Sequence, residues 1–349
     1  MKFGFYSPYL STFGGGERYM LTLASHLSQN HLVDIFWDDS NIKAPLSRFL
    51  KIDLTRTRFV PNIFSKKIVP KVFATFGYNL IFVLSDGSVP ATFAAKNILH
   101  FQVPFNFSNT DFKTRLKIKR YRHIVCNSYF TKHFIDRSFG IESSVIYPPV
   151  DVKSIQPASK ENLIISVGRF SEQQLHPKKQ EVLVEVFKEI YKKAPTWRLV
   201  LAGQAKKRDE KYLRTLKKMA RGYAIKIAQN LPVEKLRKQY ASAAIYWHAT
   251  GFGEDETKNP EKMEHFGIAT VEAQAAGAVP IVIGKGGQKE IVTDGKNGKL
   301  FTTKAQLYEL TLGLINNQKE MHYLSQRAIE SSKRFSQEKF LREYEKIIF

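Results

Sequence analysis

The sequence predicts an α/β fold in which two domains each contain a parallel sheet flanked by helices. The chain has 349 residues, which suits two domains of about 100–200 residues each. In both halves, apolar segments of strand length alternate with segments whose apolar residues have helical spacing. Between the two series, the stretch VIYPPVDVKSIQPAS contains three prolines, which favour an extended linker.

The N-terminal half opens with a strand, a glycine-rich turn, a helix and a second strand. We expect the first strand at Lys2–Tyr6, the turn at Gly14–Gly16, the helix from Glu17 to Leu27 and the second strand at Leu32–Trp37. Further strands are predicted at Asn79–Leu84, Lys96–Phe101 and His123–Asn127. This order is typical of a Rossmann-like domain.

The C-terminal half repeats the alternation and predicts a second Rossmann-like domain. Its predicted elements are, in chain order, a strand at Leu163–Val167, a helix at Gln180–Lys192, a strand at Trp197–Ala202, a helix around Tyr212–Met219, strands at Ala224–Ala228 and Ala244–His248, a helix at Ile268–Ala276, a strand at Val279–Ile283 and a helix at Ala305–Asn316. We expect domains at 1–152 and 153–334, and a C-terminal helix at 335–349 that packs back on the first domain. A cleft between two such domains is the expected binding site.

Composition excludes several classes of protein. The single cysteine, Cys126, excludes a disulfide framework and a cysteine-based zinc site, and it favours a reducing compartment. The first residues, MKFGFYSPYLSTFGGGERY, lack the apolar core of a signal peptide, and no apolar run approaches 18 residues. We therefore expect a cytoplasmic protein without a membrane span.

The positive charge predicts an anionic partner. The formal net charge is +22 and the sequence pI about 9.8, which favours nucleic acid, anionic lipid or phosphorylated ligands. Basic and apolar residues are interleaved in Lys43–Lys71 and in Lys113–Arg122. This mixture suits peripheral contact with an anionic membrane on its inner, cytoplasmic face. A generally basic surface is the alternative, because the segment KKRDEKYLRTLKKMAR in the C-terminal half is basic as well.

The most informative segment is Glu264–Val292, EHFGIATVEAQAAGAVPIVIGKGGQKEIV. A helix beginning near Gly267 would present N–H groups without internal partners and the positive end of its dipole, which together suit a diphosphate. Glu264 and Glu272 lie eight positions apart, one before the helix and one inside it. Two carboxylates so placed could accept hydroxyl groups at either end of a bound nucleotide sugar. Two solvated acids on an ordinary helix are the alternative.

This segment resembles the donor-site signature of the retaining glycosyltransferases of family four, which have the GT-B fold. The resemblance covers most of the chain. It includes Gly14-Gly15-Gly16-Glu17, Cys126-Asn127-Ser128 with Thr131-Lys132, Tyr147-Pro148-Pro149-Val150-Asp151, and Val167-Gly168-Arg169-Phe170 followed by Lys178. The stretch Tyr246–Val292 is also similar to mannosyltransferases that extend lipid-linked oligosaccharides.

The resemblance implies roles for four charged residues. Arg169 and Lys178 match the basic pair that holds the donor diphosphate and stabilises the charge on the leaving group. The segment SEQQLHP before Lys178 is longer than the family's usual turn, so Lys179 is an alternative phosphate ligand. Glu264 matches the acid that contacts the donor sugar, and Glu272 the acid that contacts the ribose.

The resemblance also implies roles for backbone groups and glycines. Phe266, Gly267 and Ile268 would offer N–H groups to the phosphates. The turn at Gly286 and Gly287 would lie beside the donor. Gly15 and Gly16 match the N-terminal loop that closes over donor phosphate and acceptor, although a simple turn before a helix would need the same glycines.

Two histidines follow or end predicted strands. His100 lies at the carboxyl end of a strand and matches the family's N-domain histidine near the transferred sugar. His248 has a similar position in the C-terminal half, where we expect a structural role. A histidine in such a place is often a satisfied core residue.

The implied activity is the retaining transfer of a hexosyl unit from GDP-mannose or a UDP-sugar to a glycan or lipid-linked acceptor. The family's course is front-face attack, in which the donor phosphate accepts the acceptor's proton. No Asp-x-Asp metal motif is present, so we expect neither a metal nor another cofactor. The alternatives are an epimerase or phosphorylase of the same fold, and a non-enzymatic binder of polyanions or membranes. No recognised nucleic-acid module is visible, so no specific nucleic-acid partner is expected.

Overall fold

A computed structural model of the chain describes residues 1–65, 68–105 and 111–349, with the backbone alone at 68–70. The chain divides into two compact units. The N-terminal unit contains Met1–Pro149 and Gln337–Phe349, and the C-terminal unit contains Val150–Ser336. Each unit is built around its own parallel sheet, so both halves have the α/β architecture that the alternating pattern predicted.

The N-terminal unit has a seven-stranded sheet in the order β3-β2-β1-β4-β5-β6-β7. Its strands are β1 (Lys2–Tyr6), β2 (Leu32–Phe36), β3 (Thr57–Val60), β4 (Leu80–Ser85), β5 (Lys96–Phe101), β6 (His123–Cys126) and β7 (Ser144–Val145). Its first five helices are α1 (Gly15–Leu27), α2 (Lys43–Leu50), α3 (Ile68–Phe76), α4 (Phe112–Ile118) and α5 (Tyr129–Phe139). The strand order reverses between the neighbouring strands β1 and β4. Open α/β sheets bind their ligands at such a point.

The C-terminal unit has a six-stranded sheet in the order β10-β9-β8-β11-β12-β13. Its strands are β8 (Glu161–Val167), β9 (Arg198–Gly203), β10 (Ile225–Gln229), β11 (Ala243–His248), β12 (Val279–Ile283) and β13 (Lys299–Phe301). Its helices are α6 (Gln180–Lys193), α7 (Glu210–Ala220), α8 (Val233–Ser242), α9 (Ile268–Ala275), α10 (Gln288–Ile291), α11 (Lys304–Asn316) and α12 (Gln318–Ser332). The strand order again reverses at one point, between β8 and β11.

The last helix, α13 (Gln337–Ile348), returns to the N-terminal unit. Phe340, Tyr344 and Ile348 recur at helical spacing and are buried in the core of that unit. The Tyr344 hydroxyl lies 2.9 Å from the hydroxyl of Tyr19 on α1. The amphipathic pattern of the final residues therefore serves this packing.

Buried aromatic side chains fill both cores. Phe5 stacks on Phe82 in the N-terminal unit, and Phe187 packs edge-on against Trp247 in the C-terminal unit. Burying such rings removes large apolar areas from water, which is the main favourable term in folding. Among the described residues, no helix is long and apolar enough to cross a bilayer.

Candidate functional site

The candidate site lies at the carboxyl ends of β8 and β11, where the strand order of the C-terminal sheet reverses. Arg169 lies two residues after the end of β8, and His248 is the last residue of β11. The crevice outside such strand ends is the usual ligand site of an open α/β sheet. Glu264 reaches the same place from the segment that leads into α9.

Lys178 and Glu264 form a largely buried ion pair. Lys178 Nζ donates to Glu264 Oε2 at 2.6 Å, and the two side chains are 12% and 14% exposed. The lysine can cross the end of β8 because residue 168 is a glycine, where an added Cβ would lie 2.7 Å from Lys178 Cγ. A side chain at position 168 would displace the lysine from its carboxylate.

His248 is buried beside the same carboxylate. Its Nε2 lies 2.9 Å from Glu264 Oε2, at an angle outside that of a regular hydrogen bond. Its Nδ1 lies 3.3 Å from the hydroxyl of Tyr246. We expected a structural role for His248, and the structure instead brings it to the main predicted site residue. In the part of the chain that the structure describes, Glu264 Oε1 accepts no hydrogen bond.

The electrostatics keep Glu264 ionised and His248 neutral. Burial alone would raise the pKa of Glu264, but the Lys178 ammonium and His248 outweigh burial and hold this pKa well below its usual range. Burial lowers the pKa of His248 despite the neighbouring carboxylate. The site thus offers one ionised acceptor beside a neutral imidazole and an ammonium group.

Gly267 caps the N-terminus of α9 with a φ of 124°. This conformation favours glycine, and an added Cβ would lie 2.6 Å from Gln288 Nε2. Phe266 before it is buried, and Ile268 begins the helix. The first N–H groups of a helix have no intrahelical acceptors, so this end can receive an anion.

The turn at Gly286 and Gly287 packs directly on the backbone of the same segment. Gly287 N donates to Glu264 O at 2.8 Å. An added Cβ at Gly286 would lie 2.5 Å from Glu264 O, and one at Gly287 would lie 2.5 Å from His265 O. The carboxylate of Glu256 accepts from Gly286 N at 3.0 Å. The two glycines are therefore needed for this close approach, whatever they contact in a complex.

The remaining predicted cations differ from Lys178 in their surroundings. Arg169 is exposed, and within the described residues its side chain makes no ion pair. Lys179 has a φ of 52° at the start of α6 and lies 3.4 Å from Glu254 Oε1. Of the two lysines, Lys178 is therefore the one that the structure brings to Glu264.

Glu272 is half-buried in α9 and faces two buried tyrosines. Burial raises the pKa of Tyr240 well above its usual value, and the carboxylate of Glu272 raises it further. Tyr246 experiences the charges of both Glu264 and Glu272. The structure thus places one buried tyrosine within electrostatic reach of both predicted acids.

In the N-terminal unit, the glycines that we expected in a turn belong to a helix. Gly15 and Gly16 are the first residues of α1, and Gly14 is its N-cap. The Glu17 carboxylate accepts from Gly14 N at 2.7 Å and from the Thr12 hydroxyl at 2.7 Å, which fixes the approach to the helix. The prediction missed that a capping acid lets the helix begin two residues earlier.

His100 ends inside the core of the N-terminal unit. It is fully buried, its ring stacks on Tyr19 with 3.8 Å between centroids, and burial lowers its pKa to about 3. Gln102 comes just after β5 and lies against Gly16, where an added Cβ would lie 2.8 Å from Gln102 Oε1. Gln102 is therefore a polar side chain beside the glycines that begin α1, and the sequence analysis did not predict it.

Several side chains of the basic segment Lys43–Lys71 are engaged in contacts within the protein. Lys43 donates to the carbonyl oxygens of Thr55 and Thr57, and Arg58 forms a bidentate ion pair with Asp34. Leu50, Ile63 and Phe64, which we took as part of the interleaved surface, are buried. Leu50 of α2 packs in one hydrophobic cluster of the N-terminal unit, and Ile63 and Phe64, which follow β3, pack in another. Lys66 and Lys67 lie outside the described residues.

Comparisons with known proteins agree with this fold. The family model for glycosyl transferases group 1 matches residues 150–331. The unit order and both sheets define a GT-B fold, with a TM-score of 0.75 to Anabaena Alr3699/HepE in complex with UDP over 99% of this chain and 98% of that one, at 18% identity. The chain belongs to the glycosyl transferases group 1 family.

Two sequence relatives carry the same description. Each is a GDP-Man:Man(3)GlcNAc(2)-PP-Dol alpha-1,2-mannosyltransferase. The Dictyostelium discoideum protein is 24% identical over 84% of this chain and 64% of its own length. The Xenopus laevis protein is 27% identical over 48% of this chain and 35% of its own length. The chain therefore spans less than two thirds of either relative.

Proposed function

We propose that this protein transfers a hexosyl unit from a nucleotide-diphosphate sugar to a glycan or lipid-linked acceptor. The observation that carries the proposal is the cluster of Lys178, Glu264 and His248 at the start of α9. It combines an ammonium group for a phosphate, an ionised carboxylate with one free oxygen for hydroxyl groups, and a helix N-terminus for an anion.

The proposed reaction breaks the bond between the anomeric carbon and the donor phosphate and forms one to an acceptor hydroxyl oxygen. Arg169, Lys178 and the backbone N–H groups of Phe266, Gly267 and Ile268 stabilise the negative charge on the leaving diphosphate. The acceptor's proton passes to the departing phosphate oxygen on the same face, so configuration is retained. No protein base is required in this scheme.

The two acids would hold opposite ends of the donor. Glu264 would accept hydroxyl groups of the sugar through Oε1, since Oε2 already contacts Lys178 and His248. Glu272 would accept a ribose hydroxyl from its position within α9. Holding both ends of the donor orients its anomeric carbon towards the acceptor. Such positioning increases the reaction rate.

GDP-mannose is the donor that we propose, because the two sequence relatives are described as acting with GDP-Man. A UDP-sugar is the competing donor. We propose a lipid-linked or envelope glycan as acceptor, bound by the N-terminal unit. No metal or other cofactor enters the proposed mechanism, since Arg169 and Lys178 supply the positive charge beside the phosphates.

We further propose that the protein is cytoplasmic and contacts the inner face of an anionic membrane peripherally. The support is a surface in the N-terminal unit that we call the α3–α4 patch: Phe73, Phe76, Phe112, Lys113, Leu116 and Lys117. Phe73, Phe76 and Phe112 are 80%, 77% and 74% exposed. Burial lowers the pKa of Lys71 on α3, and the charge of Lys117 on α4 lowers it further, so the two helices are within electrostatic reach of each other. Exposed aromatic rings among cations suit a lipid headgroup region.

A panel of sugar nucleotides tests the proposed activity. Thermal unfolding and donor hydrolysis are measured with GDP-mannose, UDP-glucose and UDP-N-acetylglucosamine, with and without EDTA. We expect stabilisation and slow hydrolysis with GDP-mannose, unchanged by EDTA. A response to a UDP-sugar alone would correct the donor. If none of the three sugar nucleotides is hydrolysed or raises the unfolding temperature, and the protein binds any polyanion in a salt-sensitive way, the non-enzymatic alternative is favoured.

A further inference from the structure

The segment between the two predicted phosphate cations contains an unusual concentration of unpaired polar atoms. Ser171–Pro177 connects Arg169 to Lys178, and it is the stretch whose length departs from the family's usual turn. Three buried atoms in it have no hydrogen-bond partner among the described residues, namely Ser171 Oγ, Gln174 Oε1 and His176 Nδ1. A buried polar atom without a partner destabilises the folded state, so three such atoms in seven residues require an explanation.

The neighbours of His176 are the residues of the candidate site. Its ring lies 4.8 Å, centroid to centroid, from the ring of His265, which follows Glu264. His265 Nε2 lies 3.0 Å from the carbonyl oxygen of Glu261, so that nitrogen is already engaged. The charges of Lys178, Glu264 and Arg169 all act on His176. The imidazole therefore lies within electrostatic reach of both predicted phosphate cations and of Glu264.

His176 is neutral in the free protein. Burial lowers its pKa well below the usual value, and the charges of Lys178 and Arg169 lower it further. A neutral imidazole has one N–H donor and one acceptor nitrogen. With Nδ1 protonated, this buried unpaired atom is a hydrogen-bond donor near two positive charges, and a phosphate oxygen attracted by those charges would satisfy it.

We infer that His176 is a third side-chain ligand of the donor diphosphate, donating from Nδ1–H to the phosphate on the sugar side. This inference rests on the proposed function and extends its donor site to the Ser171–Pro177 segment. In the same segment, the Ser171 hydroxyl would gain a partner by donating to the diphosphate, whereas Gln174 Oε1 only accepts and would need a hydroxyl group of the donor. The longer connection between the two cations is thereby explained as a binding element.

Calorimetric titration with GDP, GMP, UDP and UMP separates the sugar-side phosphate from the rest of the nucleotide. His176→Phe keeps the ring but removes both nitrogens. We expect the Kd for GDP or UDP to rise about 10- to 100-fold, as for loss of a hydrogen bond to a charged group. The Kd for the monophosphates should change less than about twofold, because they lack the second phosphate. His322→Phe, an exposed histidine on α12, is the matched control.

Two amide variants keep the test valid if the phenylalanine disturbs folding. His176→Asn presents an N–H at the position of Nδ1 and should restore diphosphate binding, whereas His176→Gln presents one at Nε2 and should not. Equal binding of GDP and GMP by all variants would overturn the inference while leaving the proposed function intact. Wild-type protein that binds neither GDP nor UDP would overturn the proposed function itself.

Discussion

Glu264 is the residue that the other groups of the candidate site contact. Its Oε2 contacts an ammonium group and an imidazole, while its backbone carbonyl oxygen accepts from Gly287. Because its pKa is held well below the usual range, the carboxylate is ionised at any pH at which the protein would work. An ionised oxygen held in one position is a stronger acceptor for a sugar hydroxyl than a mobile surface acid.

Substituting Glu264→Gln removes this charge and keeps the shape. We expect kcat/KM for sugar transfer to fall about 10- to 100-fold, because a hydrogen bond to a charged group contributes about 1.5–3 kcal/mol. The substitution also leaves the Lys178 ammonium without its counter-charge, so thermal unfolding is measured alongside initial rates. Glu261→Gln in the same segment is the control and should leave the rate unchanged. Similar rates for both variants would remove Glu264 from the mechanism.

The sequence predicted Glu264 and Lys178 as site residues but could not predict how side chains from distant segments meet. Lys178 and Glu264 are 86 positions apart, and only folding reveals that they form an ion pair. The position at the end of a strand suggested His100, which is fully buried. Its Nε2 lies 3.1 Å from Nε2 of Gln102, two residues later, and Gln102 in turn lies beside Gly16. The sequence likewise could not predict that His248 lies 2.9 Å from Glu264, which follows it by 16 residues.

At the scale of elements, continuous apolar runs were predictable and short or polar elements were not. The strands Lys96–Phe101 and Val279–Ile283 have the predicted bounds, because buried parallel strands have uninterrupted apolar sequences. The edge strands β3 and β13 were missed, since each is only half-buried and short. Helices α8 and α12 were missed because polar residues dominate them and few of their side chains reach a core.

Helices α4 and α7 are both basic but differ in whether their apolar side chains are buried or exposed. Tyr212, Leu213 and Leu216 of α7 are buried, so that helix presents only charge to solvent. Phe112 and Leu116 of α4 are exposed among its cations. Charge alone gives weak, salt-screened attraction to lipid, whereas charge with exposed aromatic rings also inserts into the interface.

The α3–α4 patch is therefore expected to bind vesicles of phosphatidylcholine with phosphatidylglycerol in sedimentation at low salt. Phe73→Ser with Phe76→Ser should weaken partitioning about tenfold or more, through lost apolar burial. Lys113→Gln with Lys117→Gln should weaken it about 25-fold, at about 1 kcal/mol per cation.

Two controls distinguish this patch from general charge. Tyr323→Ser removes an exposed aromatic ring from α12, and Lys217→Gln with Lys218→Gln removes two cations from α7. Both should leave vesicle binding within about twofold. If the α7 substitutions weaken binding as much as those in α4, the membrane contact is only a consequence of the net charge of +22.

At the scale of the whole molecule, two units of similar architecture differ in the charged side chains beside their glycine-containing helix starts. Each has a helix N-terminus with a glycine where its strand order reverses, at Gly15 and at Gly267. Among the residues that the structure describes, the C-terminal unit alone combines that helix start with an ammonium–carboxylate pair, and the family match at 150–331 coincides with it. The donor site therefore belongs to the C-terminal unit in the proposed mechanism.

The structure of a complex with GDP tests this donor site most directly. We predict that the diphosphate lies on the first N–H groups of α9, with Arg169, Lys178 and His176 on its oxygens and the ribose on Glu272. Calorimetry on the same preparation establishes that the nucleotide binds. Electron density for GDP at any other place, with Arg169 and Glu272 untouched, would contradict the mechanism.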